Sequence, residues 1–193
     1  MYNRRHVSFA TNPGYGNFPG KIALNLRHYK KQLIIMDYTI RKAVRKDMLQ
    51  VLELIKELAA YENASDQVEI TVGDLEEEGF DKGSFTCFVA DVDGKLEGMA
   101  LVYFRFSTWK GRTVHLEDLI VRESMRGTGL GSALYKTVVQ FGANYGVRRI
   151  EWVVSEGYKN AIQFYENSGA DIKKNWFTVH MDESLIGSII EKK

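Results

Sequence analysis

The run Arg126–Gly127–Thr128–Gly129–Leu130–Gly131 places three glycines at alternate positions behind an arginine. It follows a strand-like stretch, His115 to Val121, and opens into a helix-like stretch, Leu130 to Asn144. A junction of that kind exposes consecutive backbone N–H groups where a helix dipole begins, and suits a phosphate or pyrophosphate. Arg122 and Arg126 flank the loop with charge able to neutralise such a group. The P-loop pattern, Gly-x-x-x-x-Gly-Lys followed by Ser or Thr, is not completed, and no carboxylate in the run suggests magnesium. A ligand-free helix cap is the plain alternative. Two adjacent carboxylates, Glu117 and Asp118, stand in the strand that feeds the loop, and Tyr165 stands on a later helical stretch.

The elements that must position these residues are legible as hydrophobic patterns. Tyr38 to Ala43 alternates as a strand; Met48, Val51, Leu52, Ile55, Leu58 and Ala59 recur at helical spacing behind Asp47, with Gln50 completing an expected capping box. A short helix starts near Thr71 or Val72 and stops at Gly79. Strands Phe85–Ala90 and Gly98–Phe106 meet at Asp93–Gly94, a hairpin signal, and Thr113–Val121 returns after a turn at 109–111. Beyond the helix at 130–144 come an expected strand Arg149–Val154, a helix from about Asn160 to Asn167 and a strand Trp176–Met181; Ile186–Ile190 fits either form. Antiparallel hairpins joined to one strand–loop–helix–strand crossover imply an α/β domain on a mixed, mostly antiparallel sheet. A dinucleotide fold would place the glycine loop after the first strand, and here the loop comes mid-chain.

Composition bounds the class. The chain has 193 residues, a 45% hydrophobic and 26% charged make-up and a formal net charge of +1, ordinary for one globular domain. The single cysteine, Cys87, excludes an internal disulfide and sits in an apolar run; a buried residue in a reducing, cytoplasmic setting is expected. No run has the length of a membrane span. Residues 1–35 carry Arg4, Arg5, Lys21, Arg27, Lys30 and Lys31 with no acidic residue, and are read as an irregular basic extension before a single domain at 36–193. The remaining chain is therefore acidic, a better match for a cationic substrate than for nucleic acid.

At this point the sequence resembles the GCN5-related N-acetyltransferase (GNAT) family, and within it the diamine (spermidine/spermine) acetyltransferase-like branch. The family's Arg/Gln-x-x-Gly-x-Gly/Ala motif is matched by Arg126, Gly129 and Gly131, and the Leu-Glu-Asp strand by Leu116, Glu117 and Asp118. Asn160, Phe164–Tyr165 and Gly169–Ala170 match a later motif, and residues 55–62 an early one. The resemblance implies a GNAT acyl-CoA N-acyltransferase fold, with the sheet splayed between Leu116–Val121 and Ile150–Val154. It implies acetyl-CoA as cosubstrate, held by Leu119, Ile120, Val121, Arg126, Gly127, Thr128, Gly129, Leu130, Gly131, Ser132, Asn160 and Tyr165, and no metal. The N–H around Leu119 is the implied oxyanion donor. Glu117 is the implied base, acting through water, and Tyr165 the implied acid toward the leaving thiolate. Asn160 is expected to cap its helix.

The same resemblance puts Tyr61, Glu62, Trp109, Glu117, Asp118 and Trp176 around a small cationic amine, through carboxylates and aromatic faces. Where the branch has Tyr-Asp-Pro-Trp this chain has Phe106–Ser107–Thr108–Trp109, one carboxylate fewer. The expected acceptor is a diamine, polyamine or thialysine-like amino acid, and the expected assembly a homodimer. A peptide acetyltransferase and a noncatalytic CoA-binding domain are the competing readings.

Overall fold

The computed structural model describes residues 16–25 and 33–191. Residues 1–152 and 153–193 form two units.

The first unit is built on a six-stranded sheet in sequential order. Its strands are β1 (Phe18–Asn25), β2 (Leu33–Lys42), β3 (Thr86–Val92), β4 (Lys95–Ser107), β5 (Gly111–Val121) and β6 (Ile150–Glu151). All neighbours are antiparallel except β5 and β6, which are parallel. Its helices are α1 (Met48–Tyr61), α2 (Val72–Glu76), continued by a π-turn over Glu77–Asp81, and α3 (Leu130–Asn144). Period-two alternation sends the side chains of β3 and β4 to opposite faces. Phe88, Ala90, Ala100 and Val102 pack under Leu130, Leu134, Val138 and Phe141 of α3. Cys87, Val89, Met99 and Leu101 pack under Met48, Val51, Leu52 and Leu54 of α1, with Leu75 of α2. Both faces of the sheet are therefore apolar at its centre, where β3 and the first half of β4 are buried almost without a break.

Residues 18–25 and 33–35 depart from the irregular extension expected of them. Phe18–Asn25 pairs along its whole length with Leu33–Lys42, so the boundary expected at Met36 falls inside β2. Ile22 is buried in the core under α3. The Asn-, Gly- and Pro-rich approach hid a period-two pattern that starts at Phe18. The rest of the expected extension, residues 1–15 and 26–32, lies outside the described residues.

The start of α1 also differs. Asp47 occupies the cap position without capping. Its carboxylate accepts two hydrogen bonds from Arg41, at 2.6 and 3.1 Å, and one from the Val44 N–H at 2.7 Å. A bidentate guanidinium outcompetes a neutral backbone N–H for a buried carboxylate. Gln50 is correspondingly free to clamp the β3–β4 turn, accepting from Leu96 N–H at 2.9 Å and donating to the Gly94 carbonyl.

The second unit contains α4 (Lys159–Asn167) and α5 (Glu183–Glu191). The strand expected at Trp176–Met181 is not formed: these residues join no ladder, and Trp176, Phe177, Val179 and Met181 are exposed. An alternating pattern supplies only the capacity for a strand; the ladder comes from a partner strand, and among the described residues this stretch has none. The ambiguous stretch at 186–190 belongs to α5.

Candidate active site

The glycine loop joins β5 to α3 as expected. Gly127 and Gly129 have φ of 75° and 93°, left-handed conformations that a β-carbon disfavours. Gly129 is the cap residue of α3, and the first i→i−4 bond runs from Ala133 N–H to the Gly129 carbonyl. The N–H groups of Leu130, Gly131 and Ser132 precede that bond and lie where the helix dipole is positive. Thr128 turns inward instead, its hydroxyl donating to the Met125 carbonyl at 2.7 Å. The guanidinium of Arg126 stands 4.7 Å over the Tyr61 ring, so Tyr61 belongs to the loop end of the site. Arg122 does not flank the loop as a phosphate neutraliser. It donates to the Leu96 carbonyl at 3.0 Å and pairs with Glu53 and Glu57, tying α1 to the sheet.

β5 carries the second part of the site. Its pairing to β6 is confined to Val114 and His115, so among the described residues Leu116–Val121 has no neighbour on that edge. Val114 N–H donates to the Arg149 carbonyl, which fixes the phase of the alternation. On the other edge Val102 pairs with Leu116 but Leu101 with Asp118, leaving Glu117 as an extra, bulged residue. The bulge shifts the phase by one, so that Leu119 and Val121 direct their N–H and C=O groups to the open edge. An extended chain with amide groups, such as the pantetheine arm of acetyl-CoA, fits an edge of that kind, and its pyrophosphate fits the loop beyond it.

The bulge has a further consequence. Consecutive strand residues normally face opposite sides of a sheet. Here Glu117 and Asp118 both line one cleft of about 480 Å³ on the α1–α2 side. Asp74 and Glu78 join them, with Tyr103, Phe85 and Ile70 among the walls; no Lys, Arg or His is among the described lining residues. Asp74 accepts from the Thr71 N–H and hydroxyl, and Glu78 from Lys82 and Ser84. Glu117 lies 3.5 Å from His115 Nε2; burial, with the nearby Glu117 carboxylate, raises the Tyr103 phenol above its ordinary range. Burial, reinforced by the charges of Glu117 and Glu62, pushes the Asp118 carboxyl up to about 6.

Of the residues expected to hold a substrate, Glu117 and Asp118 line this cleft and Glu62 acts on Asp118 through its charge. Trp109 does not line it. It sits past Ser107, where β4 ends, and is 76% exposed. Six residues of strand from Leu101 put Ser107 about 20 Å away. Trp176 lies in the second unit, 71% exposed, beside a shallow hollow formed by residues 172–176. Asp74, Glu78, Tyr103 and His115 were missed by the sequence reading. The i,i+4 spacing of Asp74 and Glu78 on a helix was the available signal; the bulge left none.

In the second unit Tyr165 is buried on α4, its ring 5.3 Å from that of Phe164. Asn160 is not the cap expected of it: the cap of α4 is Tyr158, and Asn160 is the second helical residue. Among the described residues no group of His, Cys, Asp and Glu could hold a metal ion, and no helix is long and apolar enough to cross a membrane.

With this geometry in place, the chain can be compared with known proteins. The acetyltransferase (GNAT) family model matches residues 48–170. Thialysine N-epsilon-acetyltransferase of Bos taurus is 38% identical over 140 residues, 68% of this chain and 82% of that protein. Spermidine/spermine N(1)-acetyltransferase-like protein 1 of Homo sapiens is 36% identical over 144 residues, 70% of this chain but 21% of that longer one. The solved aminoglycoside N-acetyltransferase AAC(6')-Iy, in complex with CoA, is 21% identical with a TM-score of 0.61, over 75% of this chain and 94% of that one; at such identity the likeness shows the fold. The fold is the GNAT acyl-CoA N-acyltransferase fold, and the chain belongs to the GNAT acetyltransferase family as an acetyltransferase.

Proposed function

We propose that this protein transfers the acetyl group of acetyl-CoA to a primary amine of a small cationic acceptor, in the class of diamines, polyamines and thialysine-like amino acids. The observation that carries the reading is the cleft at the bulge: four carboxylates and aromatic walls, with no basic side chain among its described lining residues, beside the open edge of β5. Ammonium groups find there both charge and ring faces. The names of the bovine and human relatives point to acceptors of the same chemistry.

Gly127, Gly129 and the N–H groups of Leu130, Gly131 and Ser132 hold the pyrophosphate, with Arg126 adding charge; Leu119, Ile120 and Val121 receive the pantetheine arm. Bound there, acetyl-CoA supplies an acetyl group activated as a thioester. Glu117 takes a proton from the acceptor's ammonium, directly or through one water, so that the amine lone pair is free to attack. Leu119 N–H stabilises the carbonyl oxygen as the new C–N bond forms. The Tyr165 phenol gives its proton to the departing sulfur as the C–S bond breaks, and the surplus proton of the acylated nitrogen, released to water, is replaced on the phenol from solvent; this role, and that of Asn160 toward the pantetheine, rest on motif position. Asp118 and Glu62 hold the ammonium end; the roles of Trp109 and Trp176 toward the acceptor rest on motif position, and the assembly is a homodimer. The family match, residues 48–170, takes in residues of both units.

The test is free-thiol release from acetyl-CoA with a panel of diamines, polyamines, thialysine, lysine and lysine-containing peptides. Release with the small amines and little with peptides is expected. No amine-dependent release in a protein that still binds acetyl-CoA overturns the proposal.

A further inference from the structure

Behind Glu117, outside the residues that line the cleft, stands a ring to which the reaction as described gives no part. His115 lies on β5 two residues before Glu117, its side chain 12% exposed. Its surroundings fix its chemistry. Arg105 Nη1 on β4 stands 3.2 Å from His115 Nδ1. A guanidinium carries only N–H donors, so Nδ1 must accept. The one proton of the neutral ring therefore sits on Nε2, the atom facing Glu117 Oε2 at 3.5 Å. Arg105 is itself held from β6 by Glu151 Oε1 at 3.1 Å, and Arg149 holds the other Glu151 oxygen at 3.0 Å. On the remaining side the Tyr103 ring lies 5.1 Å from the imidazole, and the Glu117 carboxylate is near enough to its phenol to help raise that group's pKa.

We propose that His115 is a positioning residue for Glu117, locked by Arg105 and Glu151 in the tautomer that presents an N–H to the carboxylate. The proposal rests on the reading of Glu117 as base. A bulged residue has no cross-strand partner to fix its side chain, and this carboxylate is half exposed. His115 Nε2, 3.5 Å away, and the neighbouring Tyr103 phenol steer it toward the acceptor. The line Glu151–Arg105–His115–Glu117 also ties the base to β6, the strand whose pairing ends where the acetyl-CoA edge begins.

The groups facing the imidazole are Arg105 and Tyr103 from β4, Glu117 from its own strand and Glu151 from β6. Burial, with Arg105, disfavours the imidazolium and outweighs the two glutamates, so the ring is held below its ordinary range and stays neutral near pH 7. A neutral ring leaves the Glu117 charge for the ammonium. Protonation at Nδ1 in acid expels Arg105 and draws Glu117 into an ion pair with the ring.

The test combines pH–rate profiles with nitrogen NMR of the histidine rings. Native protein is expected to show His115 as the Nε2–H tautomer at pH 7. His115→Phe is expected to lower kcat about tenfold, with the KM for acetyl-CoA within about twofold. His115→Gln, whose amide N–H reaches the same carboxylate, is expected to recover most of that loss. Arg105→Met frees Nδ1 and is expected to move the acid limb of the profile to higher pH, a readout that survives if His115→Phe does not fold. A proton on Nδ1 in the native ring, or a His115→Phe profile and kcat equal to wild type, overturns the inference. Glu117→Gln run in parallel separates the two readings: if it alone is slow, only the role of His115 falls, and if it is as fast as wild type, the base assignment falls with it.

Discussion

Glu117 is set toward the cleft by its backbone, and its own chemistry follows from that. Replacing the carboxylate by an amide of the same shape keeps the bulge and removes the proton acceptor. Glu117→Gln is therefore expected to lower kcat about 100-fold and shift the pH–rate profile, with the KM for acetyl-CoA little changed. Tyr165→Phe keeps the buried ring and removes the acid. Turnover is expected to fall by a similar factor while acetyl-CoA binding, read by calorimetry, is retained; equal turnover would reject the assignment. Gly129 makes the opposite case. A β-carbon there meets no neighbouring atom within 4 Å, yet φ is 93°. Gly129→Ala is expected to cost about 1–2 kcal/mol of backbone strain and to weaken acetyl-CoA binding without altering the kcat pH profile.

At the scale of elements, two carboxylates of the first unit pull stability in opposite directions. Asp47 joins β2 to the start of α1 through Arg41, which also reaches Asp91 on β3 at 2.9 Å. Burial works to raise the Asp47 carboxyl, but the Arg41 and Val44 hydrogen bonds outweigh it, and its pKa lies below the ordinary carboxylate range. Its contribution is present above the unfolded value near 4 and is lost as the pH falls below it. Arg41→Met strands Asp47 without a countercharge and is expected to cost about 3–5 kcal/mol, measured by urea unfolding at pH 7. Asp118 behaves in reverse. Its folded pKa, raised to about 6, makes its ionised form a cost at neutral pH, relieved as the pH falls through 6 toward 4. Asp118→Asn is expected to raise Tm by about 5 °C at pH 8 and by much less at pH 4.5. The strain that places Asp118 beside Glu117 is thus a cost in stability borne for the site.

At the scale of the whole molecule, the proposed homodimer is the open quantity. Phe106 and Trp109 at the far end of the β4–β5 hairpin are 81% and 76% exposed, large apolar surfaces distant from the cleft of their own chain. In the second unit Leu185, Ile186, Ile189 and Ile190 of α5 are exposed as well. Apolar surface on this scale marks interaction. Light scattering at micromolar concentration is expected to give twice the chain mass, and Trp109→Ala to lower it toward that of one chain. A monomer mass for the native protein would reject the homodimer.

The linear pattern determined the elements that bury a face by themselves. The α1 stripe, the β3–β4 hairpin at Asp93–Gly94 and the glycine loop ahead of α3 were all legible, because local spacing decides which side chains share a face. Motif order also made the family and the carboxylate pair at 117–118 visible. Pairing and register were not legible. Phe18–Asn25 needed β2 beside it before its alternation meant anything, and Trp176–Met181 had the same alternation without a ladder to join. The bulge at Glu117 is a mismatch between two strands, so neither strand's sequence records it. That mismatch brings Glu117 and Asp118 onto one face, gathers Asp74, Glu78 and Tyr103 around them and sets His115 behind the base. Spacing along a chain dictates what each element can bury, and only contacts between distant elements decide which side chains meet.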